Sequence, residues 1–219
     1  PGTGLSSTSG ASVTANPTTT TTYTITGTSG FGCVNTTTVT VTVNPIPVIT
    51  VPPATKCAGA PAVTLTASGA STYAWSPATG LSATTGTSVT ANPTTTTTYT
   101  ITGTDVNSCV NTTTSTVTVN PQFDATITPA GPYCQNNGTV TMTAVDAGGT
   151  WSSSCGACIN GASGSFDPAT ASVGTNTITY LIPGACGDTN TINVLVNPVP
   201  DVVATPATST ICSGQTIAI

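Results

Sequence analysis

The chain has 219 residues, of which only 3% are charged, and its net charge of −5 comes from six aspartates and a single cation, Lys56. Such a chain cannot neutralise a run of phosphates, which argues against nucleic acid as a partner. It also lacks an apolar run near the roughly 18 residues of a spanning helix, so we expect no membrane span.

A repeated stretch sets the organisation of the chain. Residues 13–27 read VTANPTTTTTYTITG, and residues 89–103 repeat them without a change, 76 residues later. A fixed period of this length indicates an array of small modules. The sequence begins inside one module and stops soon after another opens, so we expect it to be a window from a longer array.

Every module is predicted to end on a short alternating strand followed by Asn-Pro. The three phrases are VTVTVNP at 39–45, VTVNP at 117–121 and VLVNP at 194–198. Such alternation is typical of a half-buried strand, and the proline both stops the ladder and stiffens the link that follows. We therefore predict the C-terminal part of one module at 1–45, complete modules at 46–121 and 122–198, and the N-terminal part of a fourth at 199–219.

The second module, residues 46–121, contains only short strand patterns. A Pro-rich turn leads from its first strand to Cys57, and the predicted strands are 48–51, 62–67, 71–75, 88–91, 97–103 and 112–119. About six or seven short strands without helical periodicity predict an all-β fold, a tandem array of small immunoglobulin-like β-sandwich modules. Trp75, Tyr99 and Ile101 are assigned to the core of the second module.

The threonine run at 94–98 resembles a low-complexity linker when it is taken alone. Within the repeat, its second half begins the strand that carries Tyr99, and Asn92-Pro93 forms the turn before that strand. The third module replaces the run but keeps a strand pattern at 175–181. It also keeps Trp151 at the position of the tryptophan of the second module, so we assign Trp151 to its core.

The eight cysteines follow the repeat. Cys33 occupies the hairpin position and Cys212 the opening position of their modules, so their partners are expected outside this sequence. Equal spacing predicts one disulfide in each complete module, which would contribute about 4 kcal/mol by closing such a loop. The two predicted pairs, each separated by 52 residues, are Cys57 with Cys109 and Cys134 with Cys186.

Two alternatives to this pairing stay open, because connectivity cannot be deduced from spacing. The cysteines could be reduced, or a cysteine could bond to a neighbouring module, since an immunoglobulin-like topology would put the two positions at opposite ends. Repeated cysteines in a small β module indicate an oxidising, extracellular setting.

Few residues offer chemistry. Cys155-Gly-Ala-Cys158 lacks the helix of a redox CxxC and the further ligands of a zinc site, so we predict a local disulfide that pins a loop. Asp105 and Asp188 stand in predicted hairpin turns, where aspartate is common, whereas Ca²⁺ needs clustered carboxylates. With no His or Glu to act as a base, we predict no enzyme, no cofactor and no metal site.

The alternating strands would place valine inward and threonine outward, which gives an uncharged face of hydroxyl and methyl groups. Such a face is compatible with plain solvent exposure, with O-glycosylation or with lateral packing of chains, because low charge only weakly opposes association. Asn35, Asn111 and Asn137 stand in Asn-X-Thr sequons, which matter only in a host that glycosylates them.

The phrases AVTLTASGASTYAWSPATGLSATTG, VTANPTTTTTYTITGTD and NSCVNTTTSTVTVNP resemble the immunoglobulin-like or PKD-like tandem repeats of very large Bacteroidota surface proteins. The resemblance covers nearly the whole chain, is strongest over residues 54–121, and departs from the common pattern at CGAC. It implies an adhesin or stalk, exported by the type IX secretion system, that has no catalytic residues.

The sequence therefore favours a structural, non-catalytic segment of a secreted or cell-surface adhesin, stalk or extracellular fibre. Its partners would be neighbouring repeats of the same chain and, in a filament, other copies of it. An alternative is that the modules bind surface glycans or proteins directly, which usually requires exposed aromatic residues that are few here.

Overall fold

The computed structural model of the chain describes residues 2–203, 210 and 212–214. Every regular element in these residues is a β-strand, as predicted, and they contain no helix that could cross a membrane. The chain forms two compact units, one of residues 1–119 and one that begins at Asn120. Most of the predicted fourth module, 199–219, lies outside the described residues.

The strands are numbered in chain order. Up to Asn120 they are β1 Thr21–Thr28, β2 Val34–Val41, β3 Ala54–Cys57, β4 Val63–Thr66, β5 Thr72–Ser76, β6 Ser88–Ala91, β7 Thr97–Thr104 and β8 Val110–Asn120. Beyond it they are β9 Tyr133–Cys134, β10 Val140–Thr141, β11 Thr150–Ser153, β12 Ser165–Phe166, β13 Gly174–Ile182 and β14 Asp188–Asn197.

The second module is a sandwich of two sheets. One sheet has the order β3-β8-β7-β5, and β4 pairs with β6 in the other. β7 and β8 form an antiparallel hairpin in which Tyr99 lies opposite Ser115 and Ile101 opposite Thr113. Tyr99 and Ile101 alternate with outward threonines and are fully buried. Trp75, on β5, packs in the same core.

The first ladder strand of this module is β3, and the predicted strand at 48–51 was wrong. Thr50 makes only an isolated bridge to Ser68, next to β4. The chain then passes Pro52-Pro53 and joins the other sheet beside β8 through β3. Because proline has no N–H for a ladder, two successive prolines end the first pairing and let the chain change sheets.

The third module repeats this plan with a different sequence. Its larger sheet has the order β11-β13-β14-β9, and β10 pairs with β12. β9 is parallel to β14, with Tyr133 opposite Val196. The ring of Trp151 lies 4.4 Å from that of Tyr180, measured between centroids. Trp151 is thus part of the buried core of this module.

The hairpin of β1 and β2 has nearly the sequence of the β7–β8 hairpin but a more open environment. Ile25 lies opposite Thr37, just as Ile101 lies opposite Thr113. Ile25 is nevertheless 52% exposed, whereas Ile101 is fully buried. The same register therefore forms in both environments, because the local alternation of residues specifies the pairing.

A contact between a glycine and a proline fixes the turn before β7. The N–H of Asn92 donates to the carbonyl of Gly80 at 2.7 Å. Gly80 has a φ of +72°, and a Cβ at this position would lie 2.8 Å from the nitrogen of Pro93. Both the left-handed backbone and the close approach disfavour any side chain here. The predicted Asn92-Pro93 turn thus docks on a glycine of the preceding loop.

Candidate functional site

The predicted site residues are mainly cysteines, and the four that were predicted to pair within modules lie at the two ends of each complete module. We define the two ends by the last strand of the module, which is β8 in the second module and β14 in the third. The N-terminal pole is the end at which this strand begins, and the C-terminal pole is the end at which it finishes. In the third module, Cys134 lies opposite Asn197, the last residue of β14. Cys186 precedes Asp188, the first residue of the same strand.

This placement excludes the predicted bond between Cys134 and Cys186. β14 has 10 residues, which at about 3.3 Å each span about 30 Å. A disulfide needs Cα atoms within about 7 Å of each other. Cys134 is accordingly an exposed free thiol. The equal spacing of the cysteines in sequence reflects the repeat and carries no information about their proximity.

The opening segment of the second module runs in the same direction as β8. At the N-terminal pole, Nδ2 of Asn111 donates to the carbonyl of Pro47 at 2.9 Å. Further along, the hydroxyl of Ser115 donates to the carbonyl of Pro52 at 3.0 Å. Higher residue numbers in the opening segment therefore lie beside higher residue numbers in β8, towards the C-terminal pole.

Cys57 and Cys109 consequently lie at opposite poles of the second module. Cys57 ends β3, beyond Pro52 in the direction of the C-terminal pole. Cys109 immediately precedes β8 at the N-terminal pole and is a free thiol. The predicted bond between Cys57 and Cys109 is therefore not formed in the structure. Cys57 and Cys186 are not among the free thiols.

The remaining cysteines divide into two kinds. Cys33 and Cys212 are exposed free thiols. Cys155 and Cys158 are joined by a disulfide, with their Cα atoms 5.8 Å apart. Cys158 is buried, and its sulfur lies 3.2 Å from the hydroxyl of Ser153 at the end of β11. This bond closes a short loop inside the third module, in agreement with the local disulfide expected there.

Hydrogen bonds at the N-terminal pole of the third module hold its opening segment beside β14. The N–H of Phe123 donates to the carbonyl of Cys186 at 3.1 Å, and Nε2 of Gln122 donates to the same oxygen at 3.2 Å. The N–H of Ala125 donates to Oδ2 of Asp188 at 3.0 Å. Asp188, which the sequence placed in a turn, thus anchors the backbone of a neighbouring segment.

The other aspartates order local backbone. Oδ1 of Asp105 accepts hydrogen bonds from the N–H groups of Asn107 and Cys109, each at 2.8 Å, as expected of a turn residue. Hydrogen bonds from the side chain and backbone of Thr126 lower the pKa of Asp124. Within the part of the chain that the structure describes, no three Cys, His or acidic side chains are grouped as metal ligands.

One polar contact was missed by the sequence analysis. Lys56 is 7% exposed, and its Nζ donates to Oδ1 of Asn92. Burying an ammonium group costs several kcal/mol, so this amide oxygen is an important partner. The contact ties β3 to the repeated Asn-Pro turn. The signal available in the sequence was the position of the only cation inside a module, next to Cys57.

The outward side of the β7–β8 hairpin is covered by threonines. Hydroxyl groups of opposite residues hydrogen-bond across it, at 2.8 Å between Thr98 and Thr116. The equivalent pair in the β1–β2 hairpin, Thr22 and Thr40, lies at 2.9 Å. We define the threonine face as the residues of three opposite pairs: Thr98, Thr100, Thr102, Thr112, Thr114 and Thr116.

Comparison with known proteins finds likeness only among solved structures, because no protein-family model and no curated protein sequence matches the chain. The protocadherin gamma B4 extracellular domain aligns over 83% of this chain and 39% of its own, at 12% identity and a TM-score of 0.37. Mouse clustered PcdhgC3 EC1-3 aligns over 83% and 77%, at 13% identity and a TM-score of 0.39.

A fragment of intimin shows a similar degree of likeness. The C-terminal 282-residue fragment of intimin, solved in complex with the intimin-binding domain of the translocated intimin receptor, aligns over 70% of this chain and 64% of its own. The identity is 19% and the TM-score 0.43. This chain thus spans less than two thirds of the protocadherin gamma B4 and intimin chains, and likeness at these values does not extend to function.

Proposed function

We propose that the chain is a structural, non-catalytic repeat segment of an extracellular adhesin, stalk or fibre. The observation that carries this proposal is the polarity of each complete module. In the second module, Asn111 holds Pro47 at the start of β8, and the chain leaves the module after Asn120, where β8 ends. A module that the chain crosses from one end to the other adds its own length to an array.

The proposed modules are 46–121 and 122–198, flanked by parts of further modules at 1–45 and 199–219. Last strands of 11 and 10 residues give each module a length of about 30–35 Å. The prolines after Asn120 and Asn197 would stiffen the joints. Such an array would give reach and mechanical stability to a binding domain elsewhere in the protein.

The cysteine content supports an extracellular location for this segment. Disulfide-bonded small β modules are typical of oxidising compartments. The resemblance to tandem repeats of Bacteroidota surface proteins supports a cell-surface or secreted location and export by the type IX system. The neighbouring repeats of the same chain would then be the first partners of each module.

Small-angle X-ray scattering of the whole chain tests this role. A compact protein of 219 residues has a radius of gyration of about 17 Å. If the chain enters each module at one pole and leaves at the other, the radius of gyration should be about 25 Å or more, because the lengths of the modules add. A measured value near 17 Å would contradict the proposal, and 6 M guanidinium chloride provides the unfolded reference on the same sample.

A second candidate function is lateral association through the threonine face. The hydroxyls of Thr98 and Thr116 share one hydrogen bond, and the threonine face carries hydroxyl and methyl groups but no charge. Only 3% of the residues are charged, so repulsion between copies is weak. Two copies would pack with their threonine faces against each other. The alternative is that the modules bind glycans or other proteins directly.

Sedimentation velocity over a range of concentrations tests this association. The chain should sediment faster as its concentration rises, and Thr100→Lys with Thr114→Lys should abolish this change by placing charge on the threonine face. Thr64→Lys is the matched control, because Thr64 is an exposed residue of the smaller sheet. Loss of association in the control variant, or concentration-independent sedimentation of the unmodified chain, would remove this candidate.

A further inference from the structure

We propose that the side chains of Lys56 and Asn92 are joined by an isopeptide bond, an amide between Nζ of the lysine and Cγ of the asparagine. The bond would tie β3 to the Asn-Pro turn that precedes β7. It would form within one chain and without an enzyme, and it stands independently of whether the array serves as a stalk or a filament.

The two reacting groups are in contact inside the second module. Lys56 is 7% exposed, and its Nζ donates a hydrogen bond to Oδ1 of Asn92. Cγ is bonded to that oxygen, so the nitrogen and the carbon that would join are close neighbours. The backbone of Asn92 is also held in place, because its N–H donates to the carbonyl of Gly80 at 2.7 Å. Groups held together in this way react far faster than the same groups free in solution.

The hydrogen-bond partner of Lys56 is a neutral amide instead of a carboxylate. Asp105 is the only acidic side chain of residues 1–119. It accepts a hydrogen bond from the N–H of Cys109, in the turn at the N-terminal pole, whereas β3 runs towards the C-terminal pole. Buried charges in proteins are normally paired, because removing an ammonium group from water is costly. An amide oxygen offsets part of this cost, whereas an isopeptide bond removes the charge from the site.

The step is an intramolecular transamidation in which atoms and charge balance. Nζ attacks Cγ of Asn92, a C–N bond forms between them, and the bond between Cγ and Nδ2 breaks. Two protons of the lysine ammonium group pass to the departing nitrogen, so one ammonium ion leaves. The step needs no oxidant, reductant or further reactant. Asn92 is an exposed residue, so the ammonium ion is released into solvent.

The third module carries neither reactive group at the equivalent positions. Tyr133 is the equivalent of Lys56, because each directly precedes the opening cysteine of its module. Asp167 is the equivalent of Asn92, because each directly precedes the proline of the turn. The ring of Tyr133 lies 6.0 Å from that of Phe166, measured between centroids, so it too reaches a residue next to this turn. The placement is thus shared by the two complete modules, and only the second combines it with a lysine and an amide.

A single cleavage by trypsin tests the proposal, because Lys56 is the only lysine or arginine in the chain. The whole chain is reduced, alkylated, unfolded in guanidinium chloride and diluted into the protease, so that neither the fold nor a disulfide protects the site. Trypsin cleaves only after a lysine with a free side chain. We expect the chain to stay uncut and its intact mass to be lower than the calculated mass by one molecule of ammonia.

Three variants control the experiment. Asn92→Ala keeps the lysine without its partner amide, and Lys56→Arg keeps a trypsin site without the amine. Both should have their full calculated mass and be cut into 1–56 and 57–219. The matched control is Asn16→Ala, because Asn16 forms the same turn before β1, with its N–H donating to the carbonyl of Gly4 at 2.7 Å. This variant should keep the mass deficit and stay uncut.

Three results would overturn the proposal. Cleavage of the unmodified chain into 1–56 and 57–219 would show that the lysine side chain is free. Resistance of Asn92→Ala to trypsin would show that protection does not depend on the amide. A mass deficit that persists in Lys56→Arg would place the loss of ammonia at another asparagine, such as Asn137 or Asn160, each of which precedes a glycine.

Discussion

Ile25 and Ile101 occupy the same position in two identical stretches of sequence, yet one is 52% exposed and the other fully buried. Changing either to alanine removes three carbon atoms, worth about 2.4 kcal/mol if all of them are buried. At Ile101 an additional cavity term should bring the loss to about 3–4 kcal/mol. At Ile25 about half of the transfer term remains and no enclosed cavity forms, so the loss should be about 1 kcal/mol.

Urea unfolding followed by tryptophan fluorescence separates the two variants. The chain has two tryptophans, and a Trp151→Phe background leaves Trp75, which lies opposite Ile101 across β5 and β7, as the only reporter. Ile101→Ala should lower the Trp75 midpoint by about 2–4 M, given a slope of roughly 1–1.5 kcal/mol per M for a module of this size. Ile25→Ala should lower the midpoint by at most about 1 M, because its loss of about 1 kcal/mol is divided by the same slope. Equal shifts in the two variants would refute the assignment of Ile101 to a separate core.

Three further changes test other parts of the fold. Gly80→Ala should lower the stability of the second module by at least about 2 kcal/mol, because a left-handed backbone and a close contact coincide there. The Trp75 midpoint measures this loss. Gly59→Ala is the control and should cost only about 1 kcal/mol, because Gly59 has a similar φ of +76° but open space around it. Tyr99→Phe should cost about 1–3 kcal/mol, because it leaves the carbonyl of Thr79 without the hydroxyl that donates to it at 2.8 Å. Burial also raises the pKa of Tyr99, so its contribution is present below about pH 10 and is lost as the pH rises further, and the phenylalanine variant should lack this alkaline dependence. The lowered pKa of Asp124 stabilises the third module above about pH 4, and this contribution is lost as the pH falls through the lowered value. Asp124→Asn should therefore weaken the loss of stability at acid pH, measured as the free energy of unfolding against pH by the fluorescence of Trp151.

The β-strands and the core could be predicted because they depend on local alternation. Tyr99 and Ile101 are two residues apart, so they share one face of β7 wherever that strand lies. Trp151 could be assigned from the repeat, because a residue that fills the core of one module fills the same place in another. The second half of the threonine run, Thr97 and Thr98, begins β7 for the same reason.

The cysteine pairing could not be predicted, because it depends on tertiary placement. Spacing in sequence does not say which end of the last strand the opening segment reaches, and the parallel pairing of β9 with β14 puts Cys134 at the far end from Cys186. The change of sheet at Pro52-Pro53 was missed because the prediction followed the apolar residues before it. The contact of Lys56 with Asn92 joins segments that no local pattern connects.

The parallel pairing also determines how a module carries tension. β9 runs parallel to β14, and the opening segment of the second module runs along β8 in the same sense. Pulling on the two ends of a module therefore drags these neighbouring strands past each other along their length. Their hydrogen bonds must yield together in shear, whereas an antiparallel hairpin pulled at its free ends opens one bond at a time. A pull on the ends of a module therefore acts on parallel neighbours, β9 with β14 and the opening segment with β8, which resist it in shear.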